Sequence, residues 1–206
     1  MFLRTGDGVT HTTNHWADRD QWAGGRRQLT LHLTFAGTGL ADATAGLRAA
    51  LEPLVDVVPP EWLHLTMTPL GFTDEVDRDA AGAVADEVFT AWADRRPAHP
   101  ELALDTVLVG SEGVLLCGPV PAWLGDLVRL QRETVDRHLG AREWRDFWPH
   151  ASLGYFNAAV PVEQVAAALA DPAREASGVV VEPTLSLLEL TCRDHLYAWT
   201  VLRDDS

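Results

Sequence analysis

Two short stretches of this chain carry the same pattern of chemically capable residues. Trp62-Leu63-His64-Leu65-Thr66-Met67 and Trp148-Pro149-His150-Ala151-Ser152-Leu153 each place Trp two before His, a hydroxyl residue two after it and an apolar residue three after it. The copies lie nearly half a chain length apart. Imidazole titrates near ~6.5, so at neutral pH one His can be neutral and the other protonated. A neutral His accepts a proton from an attacking water or hydroxyl, and a protonated one supplies a proton to a leaving oxygen. Hydroxyls beside them donate hydrogen bonds to the non-bridging oxygens of a phosphate, where transition-state charge builds up. The pattern is symmetric, so it does not assign base and acid. A single His-x-Ser/Thr is weak, since His11-Thr12-Thr13 and His32-Leu33-Thr34 also contain it. The pairing, the matching Trp residues and the spacing give the two copies their weight.

Such groups must sit on elements that aim them together. Successive side chains of a strand alternate faces, so Trp62, His64 and Thr66 are expected to point one way and Leu63, Leu65 and Met67 the other. The second copy reads the same way, with Trp148, His150 and Ser152 together. Leu29 to Phe35 alternates strictly and predicts a half-buried strand with Thr30, His32 and Thr34 on its polar face. Asp42 reads as an N-cap before a helix carrying Leu47, Leu51 and Leu54. Thr73-Asp74-Glu75 opens a longer helix that ends before Pro97. Strands are expected near Leu102–Val109 and Gly113–Cys117, then a helix from Pro121 to the stop at Gly140. Trp148 to Phe156 reads as strand and Pro161 to Leu169 as a short helix. Thr184–Thr191 and His195–Leu202 form a closing hairpin around Arg193-Asp194. Residues 1–27 are polar and read as an irregular extension, with 28–206 as the single folded domain. Tight turns between neighbouring strands favour an α+β fold with mostly antiparallel sheets over a doubly wound parallel one.

Composition removes several alternatives. The chain has 206 residues, 47% hydrophobic and 22% charged, as in an ordinary globular protein with a real core. No apolar run reaches the roughly 20 residues of a membrane span, and the N-terminus carries no signal-peptide-like apolar segment, so the expected location is the cytoplasm. Cys117 and Cys192 read as buried free thiols. The formal net charge of −14 argues against an extended nucleic-acid-binding surface. All 16 basic residues are Arg. Without Lys there is no P-loop, no Schiff base and no lysyl-nucleotide intermediate.

His64-Leu65-Thr66-Met67 with Pro69-Leu70-Gly71-Phe72, and Pro149-His150-Ala151-Ser152-Leu153-Gly154-Tyr155, resemble the two signature motifs of the 2H phosphoesterase superfamily. Within it the chain resembles the bacterial 2′-5′ RNA ligase-like and RNA 2′,3′-cyclic phosphodiesterase group, from about residue 28 onward. The resemblance implies a bilobal α+β fold with pseudo-twofold symmetry, two mostly antiparallel sheets and flanking helices around a central cleft. It implies His64 and His150 as the acid–base pair, Thr66 and Ser152 on the phosphate, and neither metal nor cofactor. The implied activity is opening of 2′,3′-cyclic phosphates on nucleotides or RNA ends, with 2′-5′ ligation as the alternative. The expected partner is a nucleotide or RNA terminus carrying a cyclic or 2′-linked phosphate, met by a protein with no membrane contact, with a monomer favoured. Pro69, the N-terminal extension and the absence of Lys depart from the family pattern.

Secondary candidates remain open between a site role and a structural one. His32 and Tyr155 either line the cleft or belong to the packing. Arg145, with Arg142 and Arg26-Arg27, either supplies local positive charge or sits on a solvated face. Two rivals from other classes stand beside the phosphodiesterase reading. One is metal-dependent hydrolysis, with Glu61 or Asp146 as an added ligand. The other is a non-catalytic nucleotide- or RNA-end-binding module.

Overall fold

A computed structural model describes every residue, Met1–Ser206. In chain order its elements are β1 (Phe2–Thr5), β2 (Arg27–Thr34), α1 (Leu40–Ala43), α2 (Ala45–Leu51), β3 (Asp56–Val57), β4 (His64–Phe72) and α3 (Arg78–Arg95). There follow β5 (Leu102–Leu104), β6 (Thr106–Val109), β7 (Gly113–Cys117), α4 (Ala122–Leu139), β8 (His150–Tyr155), α5 (Val162–Glu175), β9 (Val179–Val181), β10 (Thr184–Arg193) and β11 (Leu196–Asp204).

The alternation read from the sequence sets the core. Leu29, Leu31 and Leu33 on β2, Leu65 and Met67 on β4, and Leu185 and Leu187 on β10 are all buried. The helices pack against the sheet, with α3 on α4, α4 on β4 and α5 on β1 and β6. The fold is α+β and mostly antiparallel; the β1–β6 pair is parallel.

Two mostly antiparallel sheets were expected, and the structure has two of unequal size: a nine-stranded sheet in the order β1-β6-β7-β8-β4-β2-β10-β11, with β3 beside β8, and a small sheet of β5 and β9. The two halves meet at a single ladder pair, Leu65 with Ala151. The cause is competition for one edge of β8. Asp56 and Val57 of β3 take that edge at Tyr155 and Gly154, leaving β4 only the opposite end. Gly154 permits this approach, because a Cβ there would overlap the Val55 side chain and lie 3.3 Å from the Asp56 carbonyl oxygen.

Several boundaries differ from the sequence reading. Residues 1–27 are not wholly irregular: Phe2–Thr5 pair in register with Thr106–Val109 as an edge strand, and Asp20–Gly25 form 3-10 turns. Edge pairing depends on a partner distant in sequence, which periodicity cannot show. Asp42 lies inside α1, whose N-cap is Gly39 in the left-handed region, and the chain breaks at Thr44 before α2. Asp77, rather than Thr73, caps α3, accepting from the Asp79 amide at 2.8 Å. Leu102–Val109 divides into β5 and β6, which join different sheets. The helix after Pro161 continues through Pro172 to Glu175. The closing turn falls at Asp194-His195, both at positive φ (51° and 57°), as the type I′ geometry of tight hairpins requires.

Candidate active site

The Leu65–Ala151 pair lies next to both candidate histidines. Continued by one residue in each direction, its antiparallel register sets His64 opposite Ser152 and Thr66 opposite His150. Partners across a ladder share a face. Two imidazoles and two hydroxyls therefore occupy one face of the sheet where its halves meet, related by an approximate twofold axis.

The two histidines are held in the same way. His64 Nδ1 lies 2.9 Å from the Trp62 carbonyl oxygen, and His150 Nδ1 lies 3.0 Å from that of Trp148. A carbonyl only accepts, so each Nδ1 carries a proton. In the neutral ring the lone pair is then on Nε2. The Trp two residues earlier thus contributes its backbone first. Neither Trp belongs to the strand: Trp62 ends a 3-10 turn over Pro60–Trp62, and β8 begins at His150. Shared strand parity with the histidines, expected from sequence, does not apply to them. Their rings still flank the site. The Trp148 ring centroid is 5.0 Å from that of His150, and Trp62 packs edge-on at 4.7 Å against Trp199, which lies 5.0 Å from His64.

The pair is symmetric in bonding but not in environment. His64 is buried, and burial pushes its pKa down to about 4; the Trp62 carbonyl opposes the shift and His150 adds to it. His150 is half-buried, and burial lowers its pKa against the opposing Trp148 carbonyl. His64 is thus the ring held more firmly neutral.

His32 is a buried neighbour with its ring 4.9 Å from that of His64. Burial first, and His64 second, hold it well below the ordinary imidazole range. Its Nε2 lies 3.2 Å from Thr66 Oγ1 and its Nδ1 3.1 Å from Thr30 Oγ1, while the Thr30 hydroxyl also reaches the Thr68 carbonyl at 3.3 Å. Register explains the contact, since His32 pairs with Thr66 across β2 and β4. The bond between His32 Nε2 and the Thr66 hydroxyl fixes the orientation of Thr66 on the site face.

Tyr155 faces the same way as Ser152 despite lying three residues on. A register shift between Val114 and Leu115 opposite them resets the alternation. Tyr155 is buried rather than open: His15 stacks on it at 4.3 Å, with Trp16 and Tyr197 at its edges. Burial pushes its phenol up to about 12.

The arginines divide. Arg142 donates to the Pro69 and Leu70 carbonyls at 2.9 and 2.6 Å, so its guanidinium braces β4. Arg26 pairs with Asp74 and Glu75, and Arg27 with Glu189. Arg145 is exposed and makes no hydrogen bond or ion pair. No group of three or more His, Cys, Asp or Glu side chains is arranged to hold a metal ion.

Sequence reasoning missed the wall made by the N-terminal segment and the closing hairpin. Asp56 Oδ2 accepts from Trp16 Nε1 at 2.9 Å and lies 3.0 Å from His195 Nδ1, while Trp16 stacks on His195 at 5.2 Å. Arg19 and His15 meet Glu112 nearby, each at 2.9 Å. The hairpin tip is thereby tied to β3 and β8 of the other half. The aromatic and basic residues among 15–22 were the available signal, but their partners are distant in sequence.

No protein-family model matches the chain, and a search of curated proteins returns no match. Solved structures do match. TT0787 of Thermus thermophilus aligns at TM-score 0.60 and 16% identity, over 86% of this chain and 96% of its own. E. coli LigT in apo form aligns at 0.57 and 18%, over 87% and 96%. LigT complexed with 3′-AMP aligns at 0.55 and 16%, over the same shares. The protein therefore has the α+β fold of LigT.

Proposed function

We propose that the protein is a 2H phosphoesterase that opens 2′,3′-cyclic phosphates on nucleotides or RNA ends without a metal. The observation that carries this reading is the matched pair of imidazoles, each with Nδ1–H on the carbonyl two residues back and Nε2 left for chemistry, on one face with Thr66 and Ser152. The LigT fold, and a LigT structure holding 3′-AMP, support a nucleotide phosphate as the ligand.

The unequal environments of the two rings support one assignment of the roles that the symmetric motif leaves open. His64, the ring held more firmly neutral, takes the proton from water through Nε2 as the water oxygen bonds to phosphorus. His150, less buried and drawn toward the protonated form by the bound phosphate anion, donates from Nε2 to the departing ribose oxygen as its bond to phosphorus breaks. His64 ends protonated and His150 neutral, and solvent restores both. Thr66 and Ser152 hold the non-bridging oxygens, and His32 orients the Thr66 hydroxyl. Each acid–base partner is typically worth ~10²–10⁴-fold.

The test is turnover of the four nucleoside 2′,3′-cyclic phosphates and of a cyclic-phosphate RNA end, with and without EDTA. The wild type is expected to hydrolyse at least one of them equally well with EDTA present. His64→Ala and His150→Ala are each expected to lose ~10²–10⁴-fold in kcat. Loss of activity in EDTA, or full activity in either variant, overturns the proposal. Tight nucleotide binding with no turnover by the wild type identifies a binding module instead.

A further inference from the structure

The site face does not stop at His150. In register across three further strands, His150 pairs with Cys117, Cys117 with Thr106 and Thr106 with Phe2. The adjacent row runs Ser152, Leu115, Leu108 and Arg4. At ~4.8 Å between strands, Thr106 lies roughly 10 Å and β1 roughly 14 Å from the His150 strand. A nucleotide bound by its phosphate at His150 has room to extend its ribose and base along this direction.

A cavity of about 270 Å³ opens there, lined by Arg4, Asp105, Thr106, Cys117 and Trp148 among others. Drug-sized ligands occupy roughly 300–1,000 Å³, so the space suits one flat ring system rather than a large molecule. Trp148 is 46% exposed while its ring lies against that of His150, which leaves a stacking surface beside the candidate chemistry. Arg4 makes no ion pair or hydrogen bond, unlike Arg26, Arg27 and Arg142, which are committed to internal partners. Asp105 Oδ1 accepts from Thr106 Oγ1 at 2.8 Å, leaving Oδ2 without a partner. Burial first, and Asp105 second, push the Cys117 thiol up to about 12, so it is an uncharged wall rather than a nucleophile.

We propose that this cavity is the nucleobase subsite, with the base stacked on Trp148 and its polar edge met by Arg4 and Asp105. The inference rests on the cyclic-nucleotide reading above and deepens it. Guanine fits these groups best: O6 and N7 are acceptors for a guanidinium, and N1–H and the 2-amino group are donors for a carboxylate. The aromatic surface on the His64 side suits a base less well. Trp62 and Trp199 already close on each other edge-to-face, and of the charged residues lining the pocket beside them Arg27 and Glu189 neutralise one another at 2.6 Å, which leaves Arg193 without a free carboxylate beside it to meet the donor edge of a base. The subsite also gives the N-terminal segment a task, since β1 carries Arg4 to the cavity.

The experiment combines steady-state kinetics on guanosine and uridine 2′,3′-cyclic phosphates with calorimetric titration of guanosine 3′-monophosphate. It uses the full-length wild type, Trp148→Ala, Trp148→Phe, Arg4→Ala and Trp62→Ala, each with its melting temperature checked. Trp148→Ala is expected to raise KM and Kd about tenfold, which is ~1.4 kcal/mol and within the range for base–aromatic stacking. Trp148→Phe should restore most of the loss, and Arg4→Ala should weaken the guanosine ligands more than the uridine one. Wild-type affinity in Trp148→Ala, a larger loss in Trp62→Ala, or no binding of guanosine 3′-monophosphate by the wild type overturns the subsite. Absence of turnover on every cyclic nucleotide counts against the reaction instead, and the titration still decides the subsite.

Discussion

Acid should destabilise this protein through His64, by an amount that follows from its burial. An unfolded His titrates near ~6.5, whereas His64 in the fold is held to about 4, with desolvation as the largest cause. Between those values the unfolded chain binds a proton that the folded chain refuses, so stability falls as pH falls. The loss begins near ~6.5, deepens toward ~4 and then levels off, because below that the folded state also binds the proton. At 1.36 kcal/mol per pKa unit the full contribution is roughly 3 kcal/mol, of which roughly 2 kcal/mol appears between about pH 7 and about pH 5. The variant His64→Gln keeps a donor for the Trp62 carbonyl but takes up no proton. Guanidinium unfolding followed by Trp fluorescence should therefore show the wild type losing roughly 2 kcal/mol more than His64→Gln over that interval. His15, His32 and His150 remain in both proteins, so the difference reads His64 together with its charge coupling to His32 and His150. Equal pH dependence in the two proteins would refute the claim that the fold holds His64 neutral, and with it the assignment of His64 as base.

Two further outcomes follow from the same geometry. The base must be unprotonated, above about 4, and the acid protonated, below the ordinary 6.5 from which burial lowers His150. The pH profile of kcat/KM should thus be bell-shaped with its maximum between these limits, and a value still rising through about pH 7 contradicts the assignment. Gly118→Ala should destabilise severely, because its Cβ would overlap the Ala103 carbonyl oxygen and lie 2.9 Å from the carbonyl carbon, backbone atoms that cannot rotate away. A loss of ~1–3 kcal/mol or more is expected. At ~2–4 °C per kcal/mol, scanning calorimetry should show Tm lower by several degrees, and an unchanged Tm would show that the backbone shifts freely there.

The sequence by itself determined most of the strands and which candidate groups they carry. Period-two alternation at Leu29–Phe35 and around His64 and His150 defined the strands and put hydroxyls beside imidazoles, because side chains two apart in a regular strand share a face. The absence of Lys limited the available catalytic groups before any fold was known. Tertiary structure decided what depends on residues distant in sequence. The two halves of the large sheet are joined by the single pair Leu65–Ala151, because β3 takes the rest of that edge of β8. A register shift turns Tyr155 to the Ser152 face, and residues 1–27 become an edge strand and an aromatic wall through partners distant in sequence, such as Asp56, Glu112 and Tyr197. The two copies share one pattern in sequence, and unequal burial, with His32 packed beside His64, distinguishes the two rings. Solvent exclusion belongs to the whole packed molecule, so no local pattern contains it.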